Sequence, residues 1–376
     1  MNKNYTKPVY VLGVDGGGTS TVARLADGGG RILGAGRAGA SNAKAVGWDA
    51  ASRALAESIS AAFADAGVER ASVAAACLGL AGFDRPEDRR ILDQWNQENH
   101  WSEHLIVRND GELVIAAGTP SGSGIGVIAG TGSIAVGILR DDSGRVVKRT
   151  RAGGWGHVFG DEGSAYGVAI AALRLTARRA DGRSAIPASG DPLTKRILNA
   201  LNIDMPSKII GRVYGGELDR SALAALAPEV VAAVEEGDEE AGREILDRAG
   251  RDLGETAAAV AMNLGLCESE HRALRLGGER DEVAASRVPI EGEHRFNNDA
   301  CINVMSSEQF FRGPIPTALA GGFLLATPRV RRALIGRLVE LGITVDPREV
   351  PEPVVGAVRI ALDAIDKNET ILDITR

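Results

Sequence analysis

Apolar and polar residues follow one another along this chain in two different patterns. Residues 9–14 and Val73–Leu80 are short apolar runs rich in Val and Leu, which predict buried strands. Trp48–Ala66 instead has apolar residues at spacings of three and four, with Asp49 as the expected N-cap and Gly67 just past the end. That spacing predicts an amphipathic helix, so the chain combines strands with helices.

The rest of the pattern extends this α/β arrangement. A helix is predicted over 84–99, opened by Pro86, and a strand over 105–107 then delivers Asp110 to its carboxyl end. Further helices are predicted over 238–266, 328–341 and 353–366. In open α/β sheets ligands collect at the carboxyl ends of strands, which makes Asp110 a candidate functional residue.

A glycine turn near the N-terminus gives the first chemical signal. Residues 9–18 read VYVLGVDGGG, so three glycines directly follow Asp15. Such a turn lets backbone N–H groups face an anion. It is not a Walker loop, because no Gly-Lys-Ser/Thr follows, and Thr21 stands where the third glycine of GxGxxG belongs. Taken alone, the turn is equally compatible with a structural hairpin.

The same unit occurs a second time. A shift of 114 positions, without a gap, pairs identical residues in the two copies: Gly16/Gly130, Gly18/Gly132, Val22/Val136, Leu25/Leu139, Asp27/Asp141, Gly30/Gly144, Arg31/Arg145, Arg37/Arg151, Ala38/Ala152 and Gly39/Gly153. We therefore predict two similar lobes whose glycine turns face each other across a cleft. A nucleotide phosphate chain fits between such turns, which predicts a phosphotransferase.

Composition narrows the class of partner. At 376 residues and 39.2 kDa the chain is long enough for two domains. A net charge of −7 and an aromatic content of 4% argue against a nucleic-acid partner, which needs a basic surface or a stacking platform. A small molecule is the expected partner.

The sequence gives no targeting or membrane signal. The N-terminus lacks the apolar core of a secretory signal, and the longest apolar stretch, 123–139, is interrupted by glycines and by polar residues at 131–133. We predict a hairpin there, no membrane partner and a cytoplasmic location. Cys77, Cys267 and Cys301 are too scattered for a disulfide framework or a CxxC metal site, so reduced thiols are expected.

Two carboxylates are candidates for phosphoryl transfer. Asp15 is either a turn residue or a Mg²⁺ organiser acting through water, and the absence of a neighbouring lysine favours the second reading. Asp110 is either a turn residue before Gly111 or the base that orients an attacking hydroxyl and accepts its proton. The local pattern does not separate these two roles, and we choose Asp110 as the base.

A glycine-rich run over residues 153–164, GGWGHVFGDEGS, is the third candidate. The acids Asp161 and Glu162 offer acceptors for hydroxyl groups, and Trp155 offers a flat apolar wall for C–H groups, as a polyhydroxylated ligand requires. The alternatives are that the two acids begin a helix and that Trp155 belongs to the core.

These motifs together resemble a known family. The sequence is similar to the N-acetylglucosamine kinase group within the BadF/BadG/BcrA/BcrD ATPase family, part of the actin, Hsp70 and sugar kinase superfamily. The motifs that carry the resemblance are GVDGGGTST (13–21), Ser41-Asn42, Asp110, AGTGSIA (129–135), GGWGHVFGDEGSAYG (153–167) and ALAGGFLLA (318–326).

The resemblance implies an α/β fold of two ribonuclease H-like, actin-like ATPase lobes with a central cleft. Residues 1–118 would form the N-terminal lobe, on the side of the sugar and the first phosphate loop. Residues 119–376 would form the C-terminal lobe, on the side of the second phosphate loop and adenosine, with an irregular insertion at about 268–312. ATP and Mg²⁺ are the implied cofactors, an amino sugar the implied substrate, and a homodimer the implied assembly.

The resemblance also implies residue roles. Asp15 would lie near Mg²⁺, and Asp110 would be the base for the 6-hydroxyl of the sugar. The nucleotide would be bound by Gly16, Gly17, Gly18 and Thr19 in the first loop, Gly130, Thr131, Gly132 and Ser133 in the second, and Gly321 and Gly322 beside adenosine. The sugar would be lined by Asn42, Ser133, Gly153, Gly154, Trp155 and Asp161, and N-acetylglucosamine is the favoured acceptor among amino sugars.

Three other functions are weighed against this one. The ATPase activators of 2-hydroxyacyl-CoA dehydratases resemble the same family but hold an iron–sulfur cluster through paired cysteines, which are not present at the matching turns here. ROK-type glucokinases are similar in fold, but their zinc-binding cysteine cluster is absent from this sequence. A non-catalytic sugar or nucleotide sensor is the third alternative, and the presence of Asp110 together with both loops argues against it.

Overall fold

A computed structural model describes residues 8–80, 86–184, 190–216, 218–267 and 313–374. The predicted insertion at about 268–312 lies outside the described residues, as does Cys301.

The described strands form two five-stranded sheets. The first sheet has the order β3-β2-β1-β4-β5 and the second β10-β9-β6-β7-β8. The strands are β1 (Tyr10–Gly16), β2 (Thr21–Asp27), β3 (Ile32–Ala38), β4 (Val73–Leu80), β5 (Ser102–Arg108), β6 (Gly124–Ala129), β7 (Ser133–Arg140), β8 (Val146–Gly153), β9 (Ile315–Ala320) and β10 (Val345–Val350).

The two sheets repeat each other at the predicted interval. In each, an antiparallel meander of three strands is extended by two parallel strands on the side of its first strand. The turn after the second strand is also duplicated, because Arg31 Nε lies 3.2 Å from Asp27 and Arg145 Nε lies 3.1 Å from Asp141. The prediction of a two-lobed α/β fold is confirmed.

The described helices lie mostly between and after these strands. They are α1 (Ala43–Val46), α2 (Trp48–Ala66), α3 (Pro86–Asn99), α4 (Asp110–Gly118), α5 (Ala165–Ala180), α6 (Pro192–Ala200), α7 (Ile209–Tyr214), α8 (Arg220–Ala224), α9 (Ala227–Glu235), α10 (Glu239–Ala241), α11 (Arg248–Leu264), α12 (Gly322–Ala326), α13 (Pro328–Glu340) and α14 (Val354–Ile374). A 3₁₀ turn at Pro206–Lys208 precedes α7, and a π-helical segment at Gly242–Asp247 joins α10 to α11.

Several bounds agree with the sequence pattern. The predicted elements Trp48–Ala66 and Val73–Leu80 have the bounds of α2 and β4, and Gly67 ends α2 in the left-handed conformation. The predicted cap was wrong: Gly47 is the N-cap of α2, and Asp49 lies inside its first turn. An acid there still interacts favourably with the helix dipole, which is why the sequence signal resembles a cap.

Helices cover both faces of the first sheet. Leu55 and Ile59 of α2 pack with Leu12 and Val14 of β1 on one face. On the other face Val11, Ala75 and Cys77 pack with Leu113 of α4 and with Ala357, Val358 and Ala361 of α14. The last helix therefore lies against the first sheet, although it follows the second sheet in sequence. The division at residues 118 and 119 stays a prediction.

Helix α4 lies between the two sheets. Leu113 packs toward the first sheet, Val114 packs with Ala318 and Val350, and Ile115 packs with residues of β7. A helix that is apolar on all sides needs this kind of enclosure. Since Asp110 is in its first turn, α4 holds that carboxylate near both sheets.

The apolar stretch 123–139 forms the β6–β7 hairpin, as predicted. In the part of the chain that the structure describes, no helix has the length and apolar character needed to span a membrane.

The contact between α4 and α14 gives a stability prediction. A Cβ added at Gly356 would lie 2.0 Å from the carbonyl oxygen of Leu113. Gly356→Ala should therefore lower the free energy of unfolding by about 1–3 kcal/mol, because two helix backbones must separate. Gly336→Ala, at an exposed position of α13 with no atom near the new Cβ, should instead raise it by about 0.5–1 kcal/mol.

Urea denaturation of both variants measures this difference. Equal and small changes at the two positions would show that α14 does not pack tightly on α4.

Candidate active site

The first glycine turn follows β1 and is closed by its own backbone. Gly17 N donates to Ser20 O at 3.1 Å, while Ser41 N and Asn42 N donate to Gly17 O at 3.1 and 3.2 Å. Gly16 has no room for a side chain, since an added Cβ would lie 2.2 Å from Ser41 Oγ. The predicted residues Gly16, Gly17 and Asn42 are thus brought together in one small loop.

Two polar side chains border this turn. Asn42 caps α1, and its Oδ1 accepts a hydrogen bond from Lys44 N at 3.1 Å. Ser41 is fully buried, and its hydroxyl has no hydrogen-bond partner among the described residues. Because a buried hydroxyl without a partner is costly, Ser41 is a polar group at the turn that could serve a ligand.

Asp15 and Asp110 lie at the same edge of the first sheet. β1, β4 and β5 are parallel neighbours, so the carboxyl end of β1, with Asp15, and the residues after β5 meet there. Burial, together with the nearby charge of Asp110, raises the pKa of Asp15 from 3.8 to about 6. The predicted metal organiser and the predicted base therefore share one electrostatic environment.

This pair of carboxylates fits a divalent cation that also binds a ligand. Two acids that repel each other are relieved by a cation between or beside them. Within the described residues, no group of three or more His, Cys, Asp or Glu side chains could hold a metal ion. Mg²⁺ typically binds through one or two carboxylates, water and substrate phosphates, so the donors present suit Mg²⁺ delivered with a nucleotide.

The second glycine turn connects β6 to β7 and is held by the start of α5. Gly130 N donates to Gly132 O at 2.9 Å. Ala165 N donates to Gly130 O at 2.9 Å, and Tyr166 N donates to Thr131 O at 3.4 Å. Different backbone contacts hold the first turn. The two copies are therefore more alike in their strand pairing than in the hydrogen bonds of their turns.

Asp161 is buried against this second turn. Its Oδ1 accepts a hydrogen bond from Ser133 N at 3.1 Å, and Ser133 Oγ donates to the carbonyl of Glu162 at 2.6 Å. Asp161 has a φ of 62°, a left-handed backbone that is uncommon for a residue with a side chain. The predicted sugar residues Ser133 and Asp161 are adjacent, and their role in sugar binding stays a prediction.

Arg220 is a residue of this site that the sequence reasoning missed. It is the first residue of α8, and its Nη2 donates to Asp161 Oδ2 at 2.6 Å. An added Cβ at Gly132 would lie 2.3 Å from the same nitrogen, so the guanidinium rests on the second glycine turn. No motif or periodicity distinguishes this arginine from others in the helical region.

The loop after β8 presents Trp155 to solvent. Gly153, Gly154 and Gly156 have φ values of 71°, 70° and 85°, which favour glycine, and Gly154 N donates to Ser133 O at 3.1 Å. The Trp155 side chain is 63% exposed, so the alternative that it belongs to the core is excluded. An exposed indole beside glycines is available to pack on a ligand.

The glycines predicted to flank adenosine lie next to the second turn. Gly321 has a φ of 97°, and an added Cβ would lie 2.3 Å from the carbonyl oxygen of Ala129. Gly322 begins α12. The end of β9 and the end of β6 are thus in backbone contact, which brings Gly321 close to Gly130. Binding of adenosine there stays a prediction.

Comparison with known proteins gives one family match. Residues 12–284 match the profile of the BadF/BadG/BcrA/BcrD ATPase family. The N-acetylmuramic acid/N-acetylglucosamine kinase of Clostridium acetobutylicum is 33% identical over 257 residues, which are 68% of this chain and 81% of that protein. The N-acetyl-D-glucosamine kinase of Dictyostelium discoideum is 29% identical over 276 residues, 70% of this chain and 83% of that protein.

A solved structure is similar over nearly the whole length. It is the crystal structure of an inferred N-acetylglucosamine kinase from Chromobacterium violaceum, with 27% identity and a TM-score of 0.62. The superposition covers 94% of this chain and 99% of that chain.

The burial of Asp15 and the nearby charge of Asp110 predict a stability gain when the charge of Asp15 is removed. The raised pKa means that ionisation of Asp15 opposes folding; the penalty is absent below about pH 4, develops up to about pH 6 and is complete above it. Without metal or nucleotide, Asp15→Asn should raise the free energy of unfolding at pH 8 by roughly 1–3 kcal/mol, and by much less at about pH 4.5.

Urea denaturation at the two pH values, with a chelator present, provides the measurement. Asp142→Asn, which alters an exposed aspartate in the β7–β8 turn, is the matched control and should change little at either pH. A destabilised Asp15→Asn variant at pH 8 would contradict the prediction.

Proposed function

Because the chain belongs to the BadF/BadG/BcrA/BcrD ATPase family, we propose that it is an ATP-dependent kinase that phosphorylates an amino sugar. N-acetylglucosamine is the proposed acceptor, and its 6-hydroxyl the proposed site of transfer. Three of the proteins to which the chain is similar are described as kinases of N-acetylated amino sugars. The homodimer and the cytoplasmic location stay predictions.

The observation that carries the proposal is the position of Asp110. It begins a helix enclosed by both sheets, its charge adds to the effect of burial in raising the pKa of Asp15, and the next residue, Gly111, packs against Val136 of β7. A carboxylate held between two lobes and beside a glycine turn would be able to contact both a sugar hydroxyl and a nucleotide, which supports the proposal.

The proposed role of Asp110 follows from the chemistry of phosphoryl transfer. The carboxylate would accept a hydrogen bond from the attacking hydroxyl, orient it in line with the terminal phosphate, and take its proton as the new P–O bond forms. Bound Mg²⁺ would neutralise phosphate charge, and Asp15 would hold it through water, in the manner usual for this ion.

The sugar would lie between the first turn and the loop after β8. Asn42 offers an amide beside Gly17, Gly154 offers backbone close to Ser133, and Trp155 offers an exposed aromatic face. Polar groups at one edge and a flat apolar wall at another are the features by which proteins hold sugars.

The activator alternative finds no support in the described cysteines. Cys77 lies in β4 inside the core of the first sheet, where burial raises its pKa to about 12. Cys267 lies just past α11. An iron–sulfur ligand must be a thiolate that is accessible to the cluster, and Cys77 is neither.

The decisive experiment measures ADP release from Mg²⁺–ATP with a panel of hexoses, amino sugars and N-acetylhexosamines. Turnover should be confined to N-acetylated amino sugars. Asp110→Asn should keep sugar and nucleotide binding while turnover falls by about 10² or more, as expected for loss of a general base.

Asp49→Asn is the control, because Asp49 is also an acid in the first turn of a helix but lies exposed on α2. It should retain full turnover. A panel without turnover, despite measured ATP binding, would favour the sensor alternative, and near-normal turnover of Asp110→Asn would remove this residue as the base.

A second prediction concerns the sugar wall. Trp155→Ala should raise the KM for the sugar about tenfold with little change in kcat, because the ring would contact the substrate equally before and during transfer. Thermal stability should not change, since the side chain is 63% exposed. Val158→Ala, in the same loop and 80% exposed, is the control; equal effects of the two variants on KM would contradict a specific role for Trp155.

A further inference from the structure

The guanidinium of Arg220 lies against the second glycine turn, and the proposed function does not yet assign it a role. Arg220 Nη2 lies 2.6 Å from Asp161 Oδ2, and the guanidinium occupies the space that a side chain at position 132 would fill. The turn is therefore not a bare backbone loop. No side chain fits at position 132, because Arg220 and Asp161 lie directly over Gly132.

The ion pair uses only part of the hydrogen-bonding capacity of Arg220. A guanidinium has five N–H donors, and the contact to Asp161 engages one side of the fork. The Nε atom is buried and has no hydrogen-bond partner among the described residues. The side chain as a whole is 39% exposed, whereas that of Asp161 is 4% exposed. Donors thus remain for a group that approaches from solvent.

The charges around the site favour an anion as the group that approaches Arg220 from solvent. Asp15 and Asp110 at the first turn add negative charge, and no lysine follows either glycine turn as it does in a Walker loop. A nucleotide phosphate chain bound between the turns therefore needs a cation from elsewhere in the chain. Arginine suits this role, because its planar fork binds phosphate oxygens in pairs.

We propose that Arg220 is a phosphate-binding residue, which contacts the phosphate chain of the nucleotide at the second glycine turn while Asp161 holds its guanidinium in place. This inference rests on the proposed function and adds to it a residue that lies outside the glycine motifs. The strained backbone of Asp161 fits this assignment, since strain is retained where a side chain must be held in one position.

Equilibrium binding of AMP, ADP and the β,γ-imido analogue of ATP, each with Mg²⁺ and without sugar, tests the proposal. Arg220→Gln should weaken binding of ADP and the ATP analogue by about tenfold or more, and binding of AMP much less. Arg220→Lys should fall between Arg220→Gln and the unaltered protein, because it keeps the charge but loses the fork. Arg174→Gln, at an exposed position on α5, is the matched control and should bind all three nucleotides normally.

Asp161→Asn separates phosphate binding from a merely structural role. If Arg220 binds phosphate, Asp161→Asn leaves the guanidinium present but less firmly held, because an amide cannot accept hydrogen bonds from both Ser133 N and Arg220 Nη2, and it should weaken ADP binding less than Arg220→Gln does. If Arg220 serves only to hold the loop that contains Asp161, Asp161→Asn and Arg220→Gln should weaken ADP binding by the same factor. That result would overturn the proposal. Equal losses for AMP and the ATP analogue in Arg220→Gln would also overturn it. Failure of the unaltered protein to bind any nucleotide would instead overturn the kinase assignment itself.

Discussion

The architecture depends on the burial of one short helix between two sheets. Successive residues of α4 pack into three different apolar clusters, so the helix cannot move relative to either sheet without exposing apolar surface. Close backbone contacts reinforce this, because Gly118 faces Ala318 of β9 and Gly356 faces Leu113. The carboxylate of Asp110, at the start of the helix, is held in that fixed position, as its proposed role as a base requires.

The two glycine turns differ in the charged side chains that lie beside them. At the turn after β1, burial and the nearby charge of Asp110 raise the pKa of Asp15, and a cation there would stabilise both carboxylates. The turn after β6 carries the opposite arrangement, where Arg220 and Asp161 neutralise each other. The proposed ligand, a nucleotide with its divalent cation, would bring a partner for the charged groups at both turns. Neither turn alone would favour it as strongly.

The sequence was sufficient for features that are local or repeated. The offset of 114 residues predicted two similar lobes, and it is visible in sequence because turns such as the one at Asp27 and Arg31 are fixed by neighbouring residues. It did not predict the pairing of Asp161 with Arg220, which are 59 positions apart and bear no periodic relation. The sequence also left open whether Trp155 is exposed, because a glycine-rich loop has no hydrophobic pattern that reports burial.

The return of α14 to the first sheet has a consequence for biosynthesis. Val11, Ala75 and Cys77 are covered by Ala357 and Ala361, which a ribosome adds long after the strands themselves. The sheet that is made first is thus completed only after the second sheet has been made, and the lobe that holds both carboxylates closes only when α14 has emerged. Until then the nascent polypeptide displays an open apolar face, the kind of surface that molecular chaperones shield.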